Sequence, residues 1–252
     1  MSPLEAVVFD VDGTLVDSER DGHRVAFNLA FEEFGLPYRW DVEEYGRLLR
    51  TTGGQRRIDG YLAGQGVPEE ERAELAPALH RRKTALMSGL VDEGTVGDRP
   101  GVKRLLEELV EEGVRLAVAT TGSRGWVERL LERLLPGLAF EVVVCGDEVA
   151  ERKPDPEAFT TALERLKLAA DRVVAVEDSA EGLESAVGAG LATAIVVNGY
   201  TRGHDLDRAG LVLDGFGEPG APAEVIQDRA GTGCSGVLDM ATLARLLGFA
   251  TG

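Results

Sequence analysis

The stretch VVFDVDGTLVDSE, residues 7–19, sets Asp10, Asp12 and Asp17 around a glycine-containing turn that follows an apolar run. Carboxylates this close repel one another, so each raises the cost of ionising the next. Other reactive side chains stand in comparable places. Thr120 and Thr121 follow the run VRLAVA, Glu177 and Asp178 close the run RVVAVED, and Lys153 lies in the segment AERKPDP. Singly, each has a plain structural use. An acidic cluster can be a surface turn, Thr120 can cap the next helix, and Lys153 can be a solvated loop lysine. Acids, a hydroxyl and a lysine brought to one edge would instead form a ligand site.

The elements that must position them are legible as alternating runs. Residues 5–9, 114–120, 140–146, 172–178 and 192–198 are short, near-continuously apolar segments, and 210–215 is a weaker sixth. Such runs suit parallel strands buried on both faces. Helical patterns lie between them at 101–113, 123–135, 156–168 and 179–190, with Gly113 and Gly190 where helices would stop. The alternation predicts a doubly wound, Rossmann-like α/β core, in which ligands bind beyond the carboxyl ends of the strands. The polar residues named above fall at those ends. Residues 18–92 break the rhythm, with helical spacing of apolar residues and no strand pattern. They read as an α-helical domain inserted after the first strand, leaving 1–17 and 93–252 as the core. Pro100 and Gly101 mark the return. Residues 215–236, rich in Gly, Pro and Ala, read as loop.

Composition narrows the function. The 252 residues are 44% hydrophobic and 28% charged, enough for a sizeable core. No run approaches a membrane span or a secretory signal. Cys145 and Cys234 are far apart without metal-type spacing, which suits reduced thiols and a cytoplasmic setting. The formal charge of −17 disfavours nucleic acid as a partner. It is uneven: residues 18–92 hold 13 acids and 11 bases, leaving −15 for the rest. Arg47, Arg50, Arg56 and Arg57 cluster without an intervening acid. They form either solvated helix surface or an attractor for a small anion.

Four motifs in order, DVDGT (10–14), AVAT (117–120), RKPDP (152–156) and VEDS (176–179), resemble those of haloacid-dehalogenase-superfamily phosphatases with a helical cap. The likeness covers roughly residues 5 to 200. Within the insertion, ERDGHRVAFN, WDVEEYGRLL, TTGGQRRI and the returning GDRPGVKRLL are similar to the CbbY-like branch. That branch includes xylulose-1,5-bisphosphate phosphatases and is related to β-phosphoglucomutases. Members often carry Lys where Gln55 stands.

The resemblance implies roles. Asp10 is the nucleophile that forms an aspartyl-phosphate. Mg2+ is held by Asp10, the carbonyl of Asp12 and Asp178, with Glu177 in contact or adjacent. Asp12 passes a proton to the leaving oxygen and takes one from water. Its presence favours phosphoryl transfer over dehalogenation. Thr120 and Lys153 bind phosphoryl oxygens, helped by the amides of Val11, Asp12 and Thr121. In the cap, Glu19 and His23 would face the pocket, contacting substrate or organising Asp12, and Tyr45, Gly53, Gly54, Gln55 and Arg56 would form a specificity surface. The glycine pair is equally readable as a helix–loop–helix junction. Asp17 is expected in the hinge rather than in the chemistry. Three functions follow: a Mg2+-dependent sugar phosphatase working as a monomer on a small phosphorylated sugar, a phosphoglucomutase-type transferase, or a non-catalytic phosphosugar binder.

Overall fold

A computed structural model describes residues 4–51 and 53–249. Two compact units are present: residues 1–17 with 98–252, and residues 18–97. The sequence reading ends the insertion at 92. Helix α4 (Glu69–Asp92) does stop there, but Val96 is buried and lies against Gly22 of the same unit, so 93–97 stay with the helices.

The core unit is a seven-stranded sheet in the order β3-β2-β1-β4-β5-β6-β7. The strands are β1 (Ala6–Phe9), β2 (Arg115–Ala119), β3 (Val142–Val144), β4 (Val173–Glu177), β5 (Ala192–Val196), β6 (Leu211–Leu213) and β7 (Val225–Asp228). The first six pair in parallel, and β7 joins β6 antiparallel. β1, β4, β5 and β6 are buried at every position, which is why they read as unbroken apolar runs. Between the strands come α5 (Val102–Glu111), α6 (Arg124–Leu134), α7 (Glu157–Leu166) and α8 (Ala180–Gly188), with α9 (Met240–Leu246) after β7. One face of the sheet packs Ala6, Val8, Ala117 and Ala175 against Phe159, Ala162 and Leu166 of α7. β7 is a correction, since 215–236 reads as loop; α9 is capped by Asp239, whose side chain accepts from the Thr242 amide, and buries Leu243 and Leu246. Gly101 opens α5 at φ +88°, and an added Cβ would lie 2.6 Å from the carbonyl of Gly217.

Register fixes the site. Phe9 pairs with Val118 on one side and Val176 on the other. The next residues along these strands, Asp10, Ala119 and Glu177, therefore end together. Strand order reverses beside β1, the switch point at which open α/β sheets bind ligands.

The helical unit begins with a π-helical turn (Glu19–His23), followed by α1 (Arg24–Glu33), α2 (Val42–Leu48), α3 (Gly54–Gly64) and α4. Its interior is aromatic, with Trp40 4.8 Å from Phe27 and 4.9 Å from Phe31 between ring centroids. Asn28 clasps the backbone of Trp40 through both amide atoms, at 2.9 and 2.8 Å. That fixes the α1–α2 connection. Among the described residues no helix is long and apolar enough to cross a membrane.

Candidate active site

Three carboxylates, Asp10, Glu177 and Asp178, meet at the carboxyl edge of β1 and β4 with ligand oxygens within 4.8 Å of one another. All three are buried. Lys153 reaches them from the β3–α7 loop. Its Nζ donates to Asp10 Oδ1 at 2.7 Å, to the carbonyl of Ala119 at 2.8 Å, and to Glu177 Oε1. The loop is tied in place by Glu157, whose carboxylate accepts the amides of Ala150 and Glu151 at 2.9 and 2.7 Å. Ser185 Oγ adds a bond to the Asp155 carbonyl at 2.6 Å.

Glu177 has both oxygens committed. Besides Lys153 on Oε1, Oε2 accepts from the Asp178 amide at 3.1 Å and from Ser179 Oγ at 3.3 Å. Asp178 Oδ2 accepts from Asn198 Nδ2 at 2.7 Å, and Asn198 is oriented in turn by the Tyr200 amide at 2.8 Å. Gly13 closes the group. A Cβ there would lie 2.5 Å from Asp178 Oδ2 and 2.7 Å from Asn198 Nδ2, and φ is +86°. Only glycine fits that turn. Gly182 in the first turn of α8 is as tight, its added Cβ falling 2.0 Å from the Glu177 carboxylate.

Burial, then neighbouring Glu177 and Asp12 working against Lys153, push the Asp10 carboxyl up to about 7. Burial and the other two acids push Asp178 well above the usual carboxylate range. Lys153 is pushed up, the two carboxylates outweighing its burial. The donor set is all oxygen, buried and short of positive charge. This is the chemistry of a hard divalent cation site, so the residues fit Mg2+. The Asp12 carboxylate is not among the three converging groups.

Thr120 is buried beyond β2, with its amide on the Val144 carbonyl at 3.0 Å and its Oγ1 accepting from the Gly122 amide at 3.1 Å. That local turn, rather than a helix cap, is its structural role, since Ser123 precedes α6. Gly146 presses on the same turn: a Cβ there would lie 2.2 Å from the Thr121 carbonyl. Val11 is buried, and its carbonyl accepts the amides of Thr14 and Val16 at 3.3 and 3.2 Å.

In the helical unit the expected specificity residues divide. Tyr45 is fully buried, its hydroxyl donating to Glu19 and accepting from Arg57 Nη1 at 3.3 Å. It belongs to that unit's interior rather than to a surface. Arg57 is buried too, with Nε on the Leu48 carbonyl at 3.1 Å, and Arg47 pairs with Glu43 at 2.8 Å. Of the four clustered arginines, Arg57 is thus structural and Arg47 lies on solvated helix surface. Gln55 and Arg56 are exposed, whereas Gly53 and Gly54 are half-buried. Gly53 precedes α3 at φ +90°, and Gly54 starts that helix with the His80 ring 2.8 Å from where its Cβ would be. His23 Nδ1 lies 2.9 Å from Lys83 Nζ. No motif in the sequence marks Lys83, Asn198 or Gly182.

The family model of haloacid dehalogenase-like hydrolases matches residues 7–196. A CbbY protein of Cereibacter sphaeroides is 43% identical over 224 residues, covering 87% of this chain and 96% of its own. A phosphorylated carbohydrates phosphatase of Thermotoga maritima is 34% identical, covering 83% and 93%. A crystal structure of a mutant CbbY from Rhodobacter sphaeroides, in complex with xylulose-1,5-bisphosphate, superposes with TM-score 0.75 at 40% identity, covering 84% of this chain and 94% of that one.

Proposed function

The chain belongs to the haloacid dehalogenase-like hydrolases, as a CbbY-like phosphatase, and on that premise we propose that it hydrolyses a small phosphorylated sugar, xylulose 1,5-bisphosphate foremost, through an aspartyl-phosphate on Asp10. The observation that carries the reading is the buried meeting of Asp10, Glu177 and Asp178 around Lys153.

Asp10 attacks phosphorus, an Asp10 O–P bond forms, and the P–O bond to the sugar breaks. The leaving oxygen takes a proton from the Asp12 carboxyl. A water then attacks the same phosphorus, gives its proton to Asp12, and the Asp10 O–P bond breaks to release inorganic phosphate. Lys153 Nζ, already on Asp10, and the Thr120 hydroxyl hold phosphoryl oxygens as charge spreads over them. Bound at Asp10, Asp178 and the Asp12 carbonyl, with Glu177 beside it, Mg2+ would offset the repulsion between the anionic nucleophile and the phosphoryl group. Glu19, His23 and Arg56 are assigned to the sugar and its second phosphate. Arginine suits a distal phosphate because its fork binds two oxygens at once.

Phosphate release from a panel of sugar mono- and bisphosphates, with Mg2+ or with EDTA, tests the reading. Release from xylulose 1,5-bisphosphate that needs Mg2+ and is lost in Asp10→Asn is the expected result. An isomerised sugar phosphate without free phosphate would make the chain a mutase instead. Release unaffected by Asp10→Asn would remove the mechanism.

A further inference from the structure

Arg99 is a buried cation whose bonds all go to main-chain carbonyls. Nη1 donates to Gly13 at 2.5 Å and to Val196 at 2.8 Å, while Nη2 donates to Val197 at 2.7 Å and to Asp214 at 3.4 Å. Its guanidinium stacks over Phe216 at 5.8 Å. The residue stands where the chain re-enters the core unit. Val16 bridges to Asp98, and the Arg99 amide donates to the Leu15 carbonyl at 3.0 Å.

Those carbonyls belong to three segments at the carboxyl edge of the sheet: the turn after β1, the end of β5 and the end of β6. Two of them adjoin the cation cluster. Gly13 is the residue whose missing Cβ leaves room for Asp178 and Asn198. Val197 precedes Asn198, the donor to Asp178 Oδ2. One planar fork therefore sets the separation between the two backbone segments that enclose Asp178. Five N–H donors spread over a rigid plane can span carbonyls of separate segments, whereas the three donors of an ammonium radiate from a single atom on a flexible stem.

We infer that Arg99 is a positioning residue for the cation site, acting through its fork on Gly13 and Val197 to hold Asp178 and Asn198 in ligating geometry. The inference rests on the proposed Mg2+ site. Its charge works in the opposite direction: a nearby guanidinium repels Mg2+, so electrostatics alone would make its loss tighten binding. The sign of the effect thus separates geometry from charge.

The test is the Mg2+-induced rise in melting temperature, titrated with Mg2+ alone, for wild type, Arg99→Met, Arg99→Lys and Arg104→Met. Arg104 is the control. It donates to the carbonyls of Phe216, Gly217 and Leu238 at 3.4, 3.1 and 2.9 Å, so its loss tests stability without touching Gly13 or Val197. Loss of a residue that orients metal ligands weakens metal binding by roughly 10–100-fold. Arg99→Met and Arg99→Lys should both raise the half-saturating Mg2+ by about that factor, and Arg104→Met should leave it unchanged. Wild-type-like titration in Arg99→Lys would show that the planar fork is not required and would overturn the inference. So would unaltered or tighter Mg2+ binding in Arg99→Met. If Arg99→Met does not fold, Arg99→Lys decides alone. No Mg2+ response in wild type would instead remove the metal reading on which the inference rests.

Discussion

Replacing Gly182 by alanine should damage the site even though the same change in a helix ordinarily stabilises. The new Cβ would sit 2.0 Å from both Cδ and Oε2 of Glu177 and 2.2 Å from Oε1, where ordinary contact begins at 3.4 Å. The carboxylate must retreat by about 1 Å or more, since overlap of this kind cannot be absorbed by a packed interior. It is held by Lys153, by the Asp178 amide at 3.1 Å and by Ser179 Oγ at 3.3 Å. Loss of one hydrogen bond to a charged group costs about 1.5–3 kcal/mol. Removing a helical glycine returns about 1 kcal/mol. The balance is a destabilisation of about 0.5–2 kcal/mol, a fall of roughly 1–8 °C in melting temperature for a chain of this size. Displacing Glu177 also disturbs the neighbouring ligands, so half-saturating Mg2+ should rise by roughly 10-fold or more. Gly125→Ala is the reference: Gly125 is exposed near the start of α6 with nothing within 4 Å of its added Cβ. Differential scanning fluorimetry and a Mg2+ titration read both variants. If Gly182→Ala melts at or above Gly125→Ala with unchanged Mg2+ dependence, the steric argument is wrong.

The raised pKa of Asp10 makes the native state, without metal, hold a proton that the unfolded chain gives up near pH 4. Wild-type stability in EDTA should therefore fall as pH rises from about 4 to about 7, by up to a few kcal/mol. Asp10→Asn should melt above wild type at pH 8 in EDTA, with the gap closing toward pH 4.5; a gap independent of pH contradicts the assignment. Arg56→Ala should raise KM for a ketose bisphosphate at least 10-fold and for the monophosphate little, as steady-state phosphate release would show; equal effects would argue against a distal phosphate at Arg56. Tyr45→Phe leaves Glu19 and Arg57 without the hydroxyl between them, so thermal melts should show a loss of about 1–2 kcal/mol.

What could be read from the sequence was set by burial. Strands covered on both faces are forced to be apolar throughout, so β1, β4 and β5 announce themselves, and the polar residues that end them stand out by contrast. β7, Val225–Asp228, has no such pattern because it is short, polar in half its positions and partly exposed beyond β6. α3 is masked by Gly53 and Gly54, which suggest a loop. Gly54 is instead helical, where the His80 ring leaves no space for a side chain. Tyr45 shows the limit for aromatic residues, since its type and spacing suit a binding surface and a buried interior alike. Arg99 shows it for main-chain recognition: four carbonyl partners have no residue type, so nothing in the sequence marks them.

The protein's own hydrogen bonds distinguish the three carboxylates. Glu177 has donors on both oxygens, which makes it a strut between Lys153 and α8. Among the described residues, Asp10 and Asp178 each have one oxygen bound by a side-chain donor, the former by Lys153 and the latter by Asn198. The donors differ in charge. Burial pushes both carboxyls up, Asp10 to about 7 with Lys153 working against the rise, and Asp178 with Arg99 and Lys153 working against it. Asp10 thus has one oxygen without a side-chain donor and, on the other, a cation that favours its ionised form. A nucleophile needs both properties, and the charged donor on Asp10, where Asp178 has a neutral one, is the contact that favours Asp10 for that role in the proposed mechanism.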